Sequence, residues 1–167
     1  MKIEDVMSQL RSFIIATGIA LLSGLAYAQI ADDPPPPAPA FTFNSLSGEQ
    51  FEMPGYQQQK PTLLYFWATW CPYCKKATPR VVALHNDYRE FINVLAINVG
   101  INDSVALTQQ YIEDYDITFP VMFDHDSSVS GSYGVFGTPV FVIVSDDGGI
   151  LYRGHRYPDG LERALSL

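Results

Sequence analysis

One stretch constrains this chain more than any other. Thr62 to Trp67 is a continuous apolar and aromatic run, and shortly after it come Cys71 and Cys74, the only two cysteines in 167 residues. Such a run suits a strand buried on both faces, which requires a sheet covered on each side. The residues that follow, Pro72 to Glu90, have a helical pattern with Ala77, Val81, Leu84 and Tyr88 on one stripe. Pro79 lies inside that pattern and is expected to kink the helix. The two thiols therefore fall where a buried strand ends and a helix begins. Two cysteines also exclude a disulfide-dense mini-protein. Hydrophobic residues make up 47% and charged residues 17%, a composition for a packed core and not for a disordered chain.

The rest of the pattern extends this start into an α/β domain. Phe41 to Phe43 and Gln50 to Met53 flank Ser47-Gly48 and read as an N-terminal β-hairpin. Ile92 to Val99 is a second buried strand, and Ser104 to Tyr115 is a helix opened by Asp103 or Ser104. Phe119 to Phe123 is a short strand, Ser127 to Tyr133 a short helix and Val140 to Val144 a strand rich in β-branched residues. Asp146-Asp147-Gly148-Gly149 turns the chain into an antiparallel partner, Ile150 to Arg156. A last helix runs from Asp159. Strand-helix-strand units followed by a hairpin and a terminal helix imply a central mixed sheet flanked by helices on both faces.

The first 40 residues are of a different kind. Ser12 to Ala31 carries no charge and Phe13 to Leu25 is mostly apolar. As a helix that apolar part spans about 20 Å, short of a ~30 Å hydrocarbon core. Ala26-Tyr27-Ala28 places small residues where a signal peptidase requires them, so residues 1–28 are expected to be a signal peptide, or an anchor if uncleaved. Residues 29–40 hold Pro34 to Pro37 and Pro39 and read as a proline-rich linker. The domain is then expected at 41–167. With 10 Lys+Arg against 18 Asp+Glu the chain carries −8, which argues against nucleic acid as a partner.

The position of the cysteines suggests their chemistry. Unpaired N-H groups and partial positive charge at a helix N-terminus stabilise an anion, so Cys71 is the expected nucleophile, with its thiol acidity raised. Cys74, one turn into the helix, can attack a mixed disulfide formed on Cys71 and is the expected resolving thiol. Pro72 fits the first turn because its missing N-H would go unpaired there. A zinc half-site is the main rival, but His85, His125 and His155 lack paired ligand spacing, and His85 lies about 16 Å along the helix from Cys74. A structural disulfide is a further alternative, although closing so short a loop stabilises little. Redox exchange is the reading adopted, with no metal and no cofactor.

A second element, Gly137-Thr138-Pro139, precedes the strand Val140 to Val144. Together with Phe66 to Lys75, Pro79, Phe119-Pro120-Val121, Asp124 and Tyr133-Gly134-Val135, it makes the chain resemble the thioredoxin superfamily, and within it the exported TlpA/ResA-like thiol-disulfide oxidoreductases. The resemblance covers essentially Phe41 to Leu167. It implies that Pro139 is a cis-proline facing the cysteine pair and that the Thr138 backbone pairs with a bound substrate strand. It also implies that Asn102 to Asp126 is a helix-strand insertion. Trp70, Pro72 and Tyr73 join Thr138 and Pro139 as expected substrate contacts, with Phe136 and Val135 extending an apolar platform. The chain departs from the family at two places. Ala77 stands where a glutamate is common and Tyr65 where thioredoxins carry a buried aspartate, leaving water, Tyr65 or another group as proton acceptor for the resolving thiol.

The expectation is a monomeric, periplasmic reductase acting on cysteine-containing proteins and re-reduced by a membrane thiol-disulfide electron donor. Apocytochrome c or copper-protein thiols are the substrates the resemblance implies. The same exchange in reverse would make an oxidase. A copper chaperone holding Cu(I) on the same thiolates is the alternative from another class. A peroxiredoxin is disfavoured, since no Pro-X-X-X-Thr-X-X-Cys pattern occurs.

Overall fold

The computed structural model describes residues 34–55 and 60–165. The expected leader at 1–28 lies outside the described residues, as does 29–33. The chain divides into two units, Met1–Pro34 and Pro35–Leu167. In the second unit the elements run β1 (Phe41–Asn44), β2 (Gln50–Met53), β3 (Thr62–Trp67), α1 (Pro72–Tyr88), β4 (Asn93–Asn98), α2 (Val105–Asp114), β5 (Val121–Phe123), α3 (Ser128–Ser132), β6 (Val140–Val144), β7 (Ile150–Gly154) and α4 (Leu161–Leu165).

The apolar run forms the central strand, as its pattern requires, with every residue of β3 buried. The main sheet has the order β5-β4-β3-β6-β7. Strand β3 pairs parallel with β4 and antiparallel with β6, so the sheet is mixed. Alternate side chains of β3 serve opposite layers. Tyr65 and Trp67 stack on one face, where Trp67 meets Tyr111 of α2 with ring centroids 4.4 Å apart. Tyr65 also reaches Thr78 of α1 on that face. Phe66 points the other way and packs on Tyr133 at the end of α3, with Phe41 of β1 set edge-on to the same ring. Helices thus cover both faces. The hairpin β1-β2 forms in the register Phe41↔Met53 to Asn44↔Gln50.

Several boundaries differ from the sequence pattern by a few residues. Strand β5 begins at Val121 because Pro120 has no N-H for a ladder, though its carbonyl still accepts from Ala96 N. Helix α1 passes through Pro79 as one element and ends at Tyr88, with Arg89 as its cap. Its stripe is also shifted. Cys74, Thr78, Val81 and Leu84 are buried, while Ala77 and Tyr88 are only partly so.

The larger difference concerns the proline-rich segment, expected to be a spacer as far as Ala40. Residues 35–40 belong to the compact unit. Ala38 N donates to Gly148 O at 2.9 Å, and Ile150 N donates to Pro36 O at 2.8 Å. Tyr133 Oη donates to Pro39 O at 2.8 Å. Proline lacks a donor but keeps its carbonyl, so an extended proline strand can still accept hydrogen bonds from a sheet edge.

Candidate active site

Cys71 is the N-cap of α1, in extended conformation, and its Sγ accepts from Cys74 N at 3.1 Å. Pro72 occupies the first helical turn. Cys71 and Cys74 are joined in a disulfide with Cα atoms 5.2 Å apart. Both are buried, Cys71 at 2% exposure and Cys74 at 0%.

The structure brings Thr138 and Pro139 to this pair, 67 residues away in sequence. Thr138-Pro139 is a cis peptide, and Cys71 Sγ lies 3.5 Å from Thr138 O. Pro139 is buried and Thr138 half-buried. Around them stand large exposed side chains: Trp70 at 49%, Tyr73 at 70% and Phe136 at 99%. These three side chains leave apolar surface open to solvent near the pair. Val135, expected to extend that surface, is instead buried and packed in the core. Lys76 Nζ sits 5.9 Å from the centroid of the Tyr73 ring. Arg80, which with Lys75 and Lys76 makes the sequence locally basic, is engaged elsewhere. Its guanidinium lies 3.8 Å over the Tyr157 ring and bonds both carboxylate oxygens of Glu162 in α4.

Beneath Cys74 lies a group of hydroxyls. Tyr65 Oη donates to Cys74 O at 3.1 Å and Thr78 Oγ1 donates to the same carbonyl at 2.9 Å. Tyr111 Oη lies 2.9 Å from Thr78 Oγ1. Burial pushes the phenols of Tyr65 and Tyr111 well above their ordinary range, so both keep their protons. Tyr65 is therefore a donor here. Of the proton acceptors left open by the sequence, a Tyr65 phenolate is the least available. Ala77, where the family often has a glutamate, is partly buried against the core.

The loop before Cys71 is held by residues from the segment after β4. Asp103 accepts from Thr69 N at 2.7 Å and from Thr69 Oγ1 at 2.8 Å. Trp70 Nε1 donates to Ile101 O at 2.8 Å. Sequence reasoning took Asp103 only as a helix-cap residue and did not single out Ile101, Thr78 or Tyr111. The one signal for Asp103 was an acidic residue directly before the Ser104 cap.

Comparison with known proteins agrees with this geometry. A family profile described as the AhpC/TSA family matches residues 35–153. The thioredoxin-like protein YneN of Bacillus subtilis (strain 168) is 30% identical over 133 residues, covering 78% of this chain and 77% of that protein. The thiol-disulfide oxidoreductase ResA of Bacillus thuringiensis subsp. konkukian (strain 97-27) is 28% identical over 131 residues, covering 77% and 74%. A solved structure of a putative thioredoxin from Neisseria meningitidis superposes with a TM-score of 0.67 at 32% identity, covering 77% of this chain and 85% of that one. With a mixed sheet of this topology and a cysteine pair at the start of α1, the chain belongs to the AhpC/TSA family of thioredoxin-like proteins, as a thiol-disulfide oxidoreductase of its TlpA/ResA-like branch.

Proposed function

We propose that the protein is exported and reduces disulfides in cysteine-containing proteins, drawing its electrons from a membrane thiol-disulfide donor. The observation that carries this reading is the Cys71–Cys74 pair at the helix start, 3.5 Å from Thr138 O and bordered by Trp70, Tyr73 and Phe136. In the reduced state the Cys71 thiolate attacks one sulfur of a substrate disulfide. A mixed disulfide forms, and the substrate's other sulfur leaves as a thiolate and takes a proton. Cys74 then gives up its proton and attacks Cys71 Sγ, which releases the second substrate thiolate and closes the Cys71–Cys74 disulfide. Two electrons and the proton of Cys74 have passed to the substrate, whose second thiolate is protonated by solvent, and a donor dithiol restores the pair by the same exchange.

The substrate chain lies extended against the Thr138 backbone, with Pro139 beneath it and Pro72, Tyr73 and Trp70 alongside. Residues 1–28 act as the export signal and residues 29–34 as a linker. Among the described residues no helix is long and apolar enough to cross a membrane, so attachment to a membrane would rest on an uncleaved leader.

Turnover of insulin disulfides tests the activity, and a redox titration of the pair with trapping in intact cells tests its direction. The reading expects a reducing potential and reduced thiols in the cell. An oxidised pair at a potential as high as the strongest oxidant in the family range, about −120 mV, would make the protein an oxidase instead. Cys74→Ser is expected to trap proteins as mixed disulfides on Cys71, and a complete failure to capture any would count against the mechanism.

A further inference from the structure

The segment between β4 and α2 is shaped to grip the loop that carries the cysteine pair. Gly100 and Asn102 both have left-handed backbones, with φ of 71° and 51°. A side chain at Gly100 would collide with the carbonyl oxygen of Asp124, so glycine is required for the close approach. The two turns bring Ile101 O and the Asp103 carboxylate to face Thr69 and Trp70.

The Asp103 carboxylate accepts four hydrogen bonds. They come from Thr69 N, Thr69 Oγ1, Asn98 Nδ2 at 2.8 Å and Ser104 N at 2.9 Å. Its partner Asn98 is fully buried and has every polar atom used. Nδ2 donates also to Thr108 Oγ1 at 2.9 Å, and Oδ1 accepts from Gly100 N at 2.9 Å. Thr108 in turn donates to Ser104 O in α2. A carboxylate that accepts from a backbone amide and a buried, fully satisfied amide side chain has one orientation, and it imposes that orientation on Thr69. Thr69 is two residues from Cys71, and Trp70 between them is pinned by its own indole bond to Ile101 O.

We propose that Asp103 is a positioning residue for thiol-disulfide exchange. Through Thr69 it clamps the loop that presents Trp70 to a protein substrate, and it does so from the segment after β4, outside the strand-helix unit that holds the cysteines. The kinetic part of this proposal rests on the functional reading above, while the structural part stands without it. Cys71 Sγ accepts from the helix's own amide at Cys74 N and not from the clamp, so the clamp governs access and orientation of protein substrates more than thiol reactivity.

The test uses the full-length chain and the variants Asp103→Ala, Thr69→Val and Thr69→Ser. Asp103→Ala removes all four bonds and risks the fold, whereas Thr69→Val removes only the hydroxyl bond and Thr69→Ser retains it. Insulin turnover efficiency is expected to fall roughly tenfold in Asp103→Ala and less in Thr69→Val, within what a small misplacement of reacting groups costs. Thr69→Ser should exceed Thr69→Val, and alkylation of reduced Cys71 by iodoacetamide should stay within about twofold. Hydrogen exchange of the two indole N-H groups supplies the second readout. Trp70 is expected to exchange faster in Asp103→Ala and Thr69→Val, while the buried Trp67 does not. Unchanged turnover in both variants, or equal loosening of Trp67 and Trp70, would overturn the proposal. Wild-type protein without turnover would overturn the functional reading, and the indole exchange then decides the clamp alone, against it if Trp70 is unaffected.

Discussion

The hydroxyl of Tyr65 on the central strand donates a hydrogen bond of 3.1 Å to the carbonyl of Cys74 on the helix that follows. Strand and redox helix are thereby tied at the second member of the cysteine pair, at a position where thioredoxins carry an acid. Tyr65→Phe is expected to cost about 1 kcal/mol of stability, the net value of one such bond, since Thr78 Oγ1 still serves the same carbonyl. Because the phenol keeps its proton, the pH profile of disulfide exchange should be the same in Tyr65→Phe as in wild type. A shifted profile would show that Tyr65 exchanges a proton after all, and urea unfolding with pH-dependent insulin turnover checks both outcomes.

Phe136 is the most exposed aromatic near the pair, and nothing in the core depends on it. Phe136→Ala should leave the unfolding midpoint within the range of ordinary surface substitutions, about 0.5 kcal/mol. The Michaelis constant for a protein disulfide should rise about fivefold or more, as when an interface aromatic worth about 1 kcal/mol is truncated. A small-molecule disulfide, too small to reach Phe136, should be reduced at the wild-type rate. Equal losses on both substrates would show that Phe136 shapes the pair itself and does not contact the protein substrate.

The proline strap at 35–40 is expected to be part of the stable domain. A chain starting at Phe41 loses the three hydrogen bonds made by Ala38 N, Pro36 O and Pro39 O, together with the buried Ala38 side chain. Compared with a chain starting at Pro35 it should be less stable by about 3 kcal/mol, at about 1 kcal/mol for each bond. Equal denaturant midpoints for the two truncations would refute the strap.

His85, on the last turn of α1, has a buried Nδ1 without a hydrogen-bond partner among the described residues and sits edge-on to Phe119 at 5.5 Å. Burial, reinforced by Arg89, lowers its pKa below the ordinary value of 6.5. A histidine with a depressed pKa in the fold binds more protons when unfolded. Its contribution is therefore intact above about pH 6.5 and lost as pH falls toward the folded value. His85→Asn should flatten the stability profile below about pH 6.5 relative to wild type. Parallel profiles for the two proteins would contradict this.

Local pattern determined much of this protein. The run Thr62 to Trp67 suited a strand buried on both faces, and the helical pattern after it set the cysteines at a helix start. The turn residues around Gly48 and Gly148 also placed two hairpins, because each signal is carried by neighbouring residues whose backbone preferences do not depend on the rest of the fold. The meeting of Cys71 with Thr138-Pro139 was legible only through the family resemblance, since nothing local links residues 67 apart.

Tertiary structure alone decided which polar groups would satisfy one another across that framework. Asp103 looked like a cap residue and proved to hold Thr69, 34 positions away. Thr78 lay beside the expected stripe and proved to join Tyr65 and Tyr111 beneath Cys74. Val135 read as surface and was buried, and residues 35–40 read as a free spacer and became a strap. The physical reason is common to Asp103, Thr78 and the strap. A hydrophobic period reveals which face of an element turns inward, but a buried hydrogen-bonding group needs a specific partner at about 3 Å. That partner is set by how the elements are stacked, and the stacking has no signature in the spacing of either residue's neighbours.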